Sequence, residues 1–197
     1  ALETLRAVRP LAEVLGVLHQ NQVIHRDVAL KNIFEDADGR LILGDLGLLY
    51  VPSENGSRVT LTAEEVGTHH FMPPWVMGER IEENDITPAW DVYALAKAIH
   101  CFIAGRRVLV REEFDAPSND LEKLFKNAPE MQIVNALLKK CIVNKKEKVA
   151  IPNGSSLAVA IDNAIRLIAG DPEALSKEMR GLKKTTLLLS SFMKQHK

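Results

Sequence analysis

Apolar residues recur at Leu2, Leu5, Val8, Leu11, Val14, Leu15 and Leu18, close to a 3.6-residue period, which predicts an amphipathic helix at the start of the chain. Pro10 falls inside that pattern and predicts a bend, or a helix that restarts with Pro10 in its first turn. A short apolar step, Val23-Ile24, leads into a polar loop from His25 to Asn32. Ile33-Phe34-Glu35 and Leu41-Ile42-Leu43 then flank Asp36-Ala37-Asp38-Gly39-Arg40, which predicts a β-hairpin with Asp-Gly turn chemistry. Residues 50–66 are polar and aperiodic, a connection long enough to expect a role in function. From Asp91 the pattern turns strongly apolar, predicting a buried helix that ends at Gly105 as its C-cap. Residues 119–126, 130–143 and 155–169 predict three more helices. The sum is an α+β chain, mainly α-helical, with one small hairpin.

Residues 1–170 read as one domain, and 171–197 as a C-terminal basic helix or linker. That last stretch opens with Asp171-Pro172-Glu173, a helix-start signal, and carries six Lys and Arg against three Asp and Glu. A chain of 197 residues can bury roughly 70% of its unfolded surface, enough for one substantial core. Over the whole chain 25 Lys and Arg stand against 26 Asp and Glu, a net charge of −1 that argues against a dedicated nucleic-acid binder. The sequence holds no apolar run near the ~20 residues that span a bilayer, so no membrane partner is expected. Cys101 and Cys141 sit in apolar surroundings without metal or disulfide spacing, which predicts buried thiols and a cytoplasmic setting.

The chemistry concentrates in His25-Arg26-Asp27-Val28-Ala29-Leu30-Lys31-Asn32. Asp27 and Asn32 lie on a loop just before the hairpin, and the hairpin's second strand runs into Asp45-Leu46-Gly47. Folding back is expected to bring Asp45 beside Asn32 and Asp27, converging two carboxylates and an amide. Such a donor set suits Mg²⁺, a hard cation that prefers oxygen and keeps substrate phosphates in its shell. Lys31 adds a positive charge where a transferring phosphoryl group needs one. Asp36 and Asp38 read as turn residues, since the loop lacks a calcium-loop ligand pattern.

His-Arg-Asp, an Asn five residues after the Asp, and Asp-Leu-Gly resemble the catalytic loop and metal-binding motif of the protein kinase family. Gly67-Thr68-His69-His70-Phe71-Met72-Pro73-Pro74-Trp75 is similar to that family's G-T-x-x-Y-M-A-P-E segment. Asp91-Val92-Tyr93-Ala94-Leu95 through Gly105, and Leu137-Leu138-Lys139-Lys140-Cys141-Ile142, resemble its next two motifs in the same order. The resemblance implies a kinase C-terminal lobe with a small β-hairpin, using ATP and Mg²⁺ on a protein serine or threonine hydroxyl.

Residue by residue, it implies Asp27 as the base or orienter of the hydroxyl, with Asn32 and Asp45 as metal ligands bridging nucleotide phosphates. Phe34 would pack beneath the adenine, and Lys31 would serve both nucleotide and transfer. His25 and Leu46 would stack in an internal apolar column. Asp91 would accept backbone N–H groups at His25-Arg26. Arg26 would pair with a phosphate among Ser53, Ser57, Thr60 and Thr62. Thr68 fits the serine/threonine branch, whereas Lys31, four positions after Asp27, has the spacing of the tyrosine-kinase loop; the serine/threonine reading is taken.

Two departures stand out. Only 24 residues precede His25 and the first residue is Ala1, so the glycine-rich loop, its lysine and the partnering glutamate have no counterpart. The expectation is a cut chain whose N-terminal lobe is absent, which needs that lobe or an upstream domain as partner and transfers phosphate poorly alone. Trp75 replaces a glutamate, and Val149 falls where its arginine partner is expected, so Trp75 is predicted to pack near Val149. Two rivals follow: a pseudokinase-like interaction scaffold, and a small-molecule kinase related to the aminoglycoside phosphotransferases.

Overall fold

The computed structural model describes residues 1–51, 69–77, 81–110 and 113–171. Helix α1, Leu2–Gln20, buries Leu5, Val8, Leu11, Ala12 and Leu15 on one face, as the apolar period requires. It continues past Pro10 as one helix, without the restart that was one of the two expectations there. The ring occupies an exposed position, and the missing N–H costs a single intrahelical bond. Beside it, Arg9 holds the Asp162 carboxylate with two nitrogens, one at 2.9 Å, and Glu13 at 2.7 Å.

Helix α2, Pro88–Ala104, starts with proline in its first turn and stops at Gly105, whose φ of 63° supplies the left-handed cap the sequence predicts. From Ala89 to Cys101 every residue is buried, so α2 is the axis around which the domain packs. Residues 119–126 contribute only one helical turn, α3 at Leu121–Leu124, capped by the Asp120 side chain on the Glu122 N–H. The Asn135 amide also donates to Asp120, at 2.7 Å, tying α3 to α4, Met131–Lys139. Helix α5, Gly154–Ile168, is capped by Asn153 on the Ser156 N–H.

Helices α1 and α5 are the most extensively paired elements. Their backbones meet where Gly154 faces Gly16: a Cβ on Gly154 would lie 2.3 Å from Gly16 N and 2.6 Å from Ala12 O. Only hydrogen at both positions permits that crossing.

Strands β1, Ile33–Glu35, and β2, Leu41–Leu43, form an antiparallel pair with Ile33 opposite Leu43 and Phe34 opposite Ile42. The Asp36 carboxylate accepts the N–H groups of Asp38 and Arg40, and Gly39 takes φ 77°, so these residues build the turn as expected. Ile24 pairs with Tyr50 in an isolated bridge, closing the loop that the hairpin interrupts. Ile24 and Tyr50 join Val76, Ile86 and Trp90 in a small second core beside the main one. Cys101 and Cys141 are buried free thiols, and burial pushes them up to about 11 and about 12. Among the described residues no helix is long and apolar enough to cross a membrane. Residues 172–197, the predicted basic helix or linker, lie outside the described residues.

Candidate active site

The loop between α1 and the hairpin is held from beneath by one buried carboxylate. Asp91, in the first turn of α2, accepts the His25 N–H on Oδ2 and the Arg26 N–H on Oδ1, both at 2.8 Å. Those bonds hold Arg26 at φ 65°, a left-handed conformation that costs a non-glycine residue about 1–2 kcal/mol. Charge-assisted hydrogen bonds offset a cost of that size. A third partner comes from α1: His19 Nε2 donates to Asp91 Oδ2 at 2.9 Å. His19 Nδ1 accepts the Gly154 N–H at 3.0 Å, which places the imidazole proton on Nε2. Sequence reasoning missed His19; its signal was a polar residue one helical turn past Leu15 on the buried stripe of α1.

Arg26 extends away from this turn. Its Nε donates to Leu48 O at 2.6 Å and its guanidinium lies over the Tyr50 ring, 5.5 Å from the centroid. Burial holds the guanidinium below its usual range, against the favourable pull of Asp91 and Tyr50. Nη1 is buried and makes no hydrogen bond among the described residues. The hydroxyls expected to receive a phosphate for it, Ser53, Ser57, Thr60 and Thr62, lie outside those residues.

The structure brings Asp27, Lys31 and Asn32 together. Asn32 Nδ2 donates to Asp27 O at 2.8 Å and to Asp27 Oδ2 at 2.7 Å, and Lys31 Nζ stands 3.6 Å from the same Oδ2. A one-turn 3-10 helix, Leu30–Asn32, makes this possible by folding the chain back on the loop. Asp27 is 1% exposed, and its Oδ1 is shielded and bonded to nothing in the described fold. Lys31 remains on the surface. Through its backbone carbonyl, Asn32 is also tied to the end of the hairpin: Gly44 N–H donates to Asn32 O at 2.9 Å.

Asp45 follows Gly44 directly. It adopts φ 56° and stays exposed, with Oδ1 accepting the Gly47 N–H at 3.3 Å. The hairpin thus delivers its backbone next to Asn32, while its carboxylate faces solvent rather than bonding Asp27 or Asn32. Among the described residues no three His, Cys, Asp or Glu side chains are placed to hold a metal; the seat under consideration is two carboxylates and an amide.

One expectation needs correction. Leu46 is 58% exposed while His25 is fully buried, so they do not stack in one column within the described residues. Trp75 packs edge-on against Tyr93 of α2, with ring centroids 5.6 Å apart, and borders both hydrophobic clusters. The turn before Val149 is anchored by Lys146 on Asp85 Oδ1 at 2.6 Å and Asn84 O at 3.0 Å. Phe34 is 52% exposed and shares the open face of the hairpin with Ile42, its ring against Gly44. Thr68 lies outside the described residues.

Several known proteins resemble the chain in sequence. The chain is 38% identical over 89 residues to the serine/threonine-protein kinase PknD of Mycobacterium tuberculosis, covering 45% of this chain and 12% of that protein. It is 25% identical over 201 residues to the serine/threonine-protein kinase PknB of the same organism, covering 94% of this chain and 30% of PknB. It is 31% identical over 185 residues to LysM domain receptor-like kinase 3 of Medicago truncatula, covering 91% and 28%. The chain therefore spans less than a third of the length of each of these relatives. The family model for the protein kinase domain matches residues 3–187, which contain the Asp91-pinned loop, the hairpin, α2 to α5 and all of α1 but its first residue. By that match the chain belongs to the protein kinase domain family.

Proposed function

We propose that this chain supplies the catalytic-loop half of a kinase that moves the terminal phosphoryl group of ATP, with Mg²⁺, onto a serine or threonine hydroxyl of a protein. The observation that carries the proposal is the buried Asp27 carboxylate. One of its oxygens is fixed by Asn32 and faced by Lys31, and the other is an acceptor the fold does not use. An oriented carboxylate with a spare oxygen is what a substrate hydroxyl needs in order to be positioned and to release its proton.

The residues fit the nucleotide and metal. Asn32 commits its amide nitrogen to Asp27, which leaves its side-chain oxygen for a cation, and Asp45 offers an exposed carboxylate two residues from the strand end. The Asp45 carboxylate and the Asn32 amide oxygen are hard donors of the kind Mg²⁺ takes. When bound, Mg²⁺ neutralises charge on the phosphates and holds them in line with the acceptor. Lys31 would stabilise negative charge at the transferring group. The open Phe34–Ile42 face of the hairpin would receive the adenine against its apolar surface.

The serine/threonine assignment is supported by the mycobacterial relatives' names and by Thr68 in the sequence. A cytoplasmic setting is supported by the two buried thiols. Positioning supplies nearly all of the catalysis in phosphoryl transfer, so residues 1–197 alone are proposed to transfer poorly without a phosphate-covering lobe.

The test is transfer of radiolabel from ATP to protein by the whole protein that carries this chain. Asp27→Asn and Asp45→Ala are each expected to lower the rate by about a hundredfold or more. Wild-type transfer by Asp45→Ala would remove the metal assignment. A folded wild-type protein that transfers nothing would favour the scaffold reading.

A further inference from the structure

A cavity of about 320 Å³, lined by none of the residues assigned above, opens between the end of α4 and the segment before α3. That volume is at the small end of ligand pockets, room for one or two side chains rather than a drug-sized molecule. Phe114 and Ile142 are nearly buried and form its apolar side together with the half-buried Val143. Lys139, Asn144 and Lys148 are exposed at its mouth, as is Asp115.

The walls are fixed before any ligand arrives. The His100 ring packs edge-on against Phe114 at 6.1 Å, Ala150 N–H bonds Lys140 O at 3.0 Å, and Lys146 ties its turn to Asp85. Around the pocket the sequence from 139 to 148 places Lys139, Lys140, Lys145, Lys146 and Lys148 against Glu147 alone, in a chain whose total charge is −1. Lys139, Lys140, Lys145 and Lys148 make no ion pair among the described residues, so within those residues the local positive charge is offset only in part, by Glu147 and by Asp115 at the mouth.

We propose that this pocket docks an acidic peptide segment of a partner protein, with one bulky apolar side chain inserted over Phe114 and Ile142 and flanking carboxylates on Lys139 and Lys148. The apolar insertion supplies the anchor, and the lysines supply register and association rate. The chain's own segment 172–197 is a poor occupant, because six Lys and Arg there face two Asp and Glu and like charge opposes docking. A continuous polyanion is disfavoured by Asp115 at the mouth. A lipid surface would use a flat face, not a concavity of this size.

The probe is a short dye-labelled synthetic peptide with a central Phe among Glu residues, titrated against the 197-residue chain by fluorescence anisotropy. Saturable binding is expected, weakening with added salt. Charge reversal at both exposed lysines (Lys139→Glu with Lys148→Glu) and Phe→Ala in the peptide are each expected to weaken it about tenfold or more. Asn144→Trp, also at an exposed position, should block the mouth and give the same loss while circular dichroism stays unchanged. Undetectable binding to the folded chain, equal binding of the Phe→Ala peptide, or binding unaffected by these variants would overturn the proposal. So would stronger binding to phosphatidylserine vesicles or to a single-stranded oligonucleotide that the same lysine variants abolish.

Discussion

His19 and Asp91, 72 residues apart, share a 2.9 Å hydrogen bond beneath the His25–Asn32 loop, and the Gly154 N–H fixes the histidine tautomer that makes it. One imidazole thereby joins α1, α5 and the carboxylate that pins His25 and Arg26. His19→Ala leaves Asp91 with the two loop N–H groups and orphans the Gly154 N–H. The expected cost is about 1–3 kcal/mol of stability by urea unfolding. Because His19 positions the loop through Asp91, amide exchange at His25 and Arg26 should accelerate more than at the far end of α2. A uniform change in exchange would reduce His19 to a packing residue.

The α1–α5 crossing tolerates no side chain at its centre. Gly154→Ala would press a Cβ into backbone atoms of Gly16, Ala12 and Leu15, none of which can rotate away. Overpacking of this kind costs about 1–3 kcal/mol or more, which exceeds the modest gain from a stiffer unfolded chain. Gly105→Ala meets no atom within 4 Å and carries only the penalty of φ 63°, about 1–2 kcal/mol. Thermal melts should rank Gly154→Ala below Gly105→Ala. The reverse order would mean that the helices separate without cost.

Much of this architecture was legible because its signals are local. The 3.6-residue period of α1, the Asp-Gly turn between Ile33 and Leu43 and the Gly105 stop each follow from residues within one or two turns of one another. Asp91 under His25 and Arg26 was legible only through the family resemblance, since nothing local joins residues 66 apart. Contacts set by tertiary placement were not legible. Pro10 sits in an exposed position where the helix continues past it, the 119–126 pattern contributes one turn that Asn135 ties to α4 through Asp120, and Leu46 stays exposed among the described residues. For the site, Asp27 and Asn32 could be joined from their spacing, whereas the solvent-facing carboxylate of Asp45 depends on a left-handed φ that an aspartate does not advertise.

Asn32 bonds both the backbone and the carboxylate of Asp27, so the pair should be coupled in stability as well as in chemistry. Asn32→Ala strips Asp27 Oδ2 of its closest partner and leaves Lys31 at 3.6 Å. A loss of about 1–3 kcal/mol is expected, the cost of a buried acceptor left unpaired. In a double-mutant cycle with Asp27→Ala, the coupling energy should reach about 1 kcal/mol, because the second change removes the group the first one orphaned. Strict additivity would show that the two side chains do not depend on each other in the fold.

His100 gives the domain a predictable acid sensitivity. It is fully buried on α2, with Nε2 bonded to Asn119 O at 2.8 Å and Nδ1 shielded without a partner. Burial, reinforced by the charges of Arg106 and Lys97, holds its pKa below the ordinary histidine range, although the Asn119 carbonyl pulls the other way. The folded protein therefore keeps the ring neutral at a pH where the unfolded chain has begun to protonate it. Its contribution is complete above the unfolded value near 6.5 and is lost as pH falls from there through the folded value. Between those two values the unfolded state binds the extra proton, so stability declines by up to about 1.4 kcal/mol per pH unit. His100→Gln can keep a donor toward Asn119 O without any titration. Urea midpoints followed from neutral to mildly acidic pH should show the wild type losing ground to the variant as pH drops. Parallel curves would mean that the buried imidazole takes its proton as readily as an exposed one, and the assignment of a neutral ring would fail.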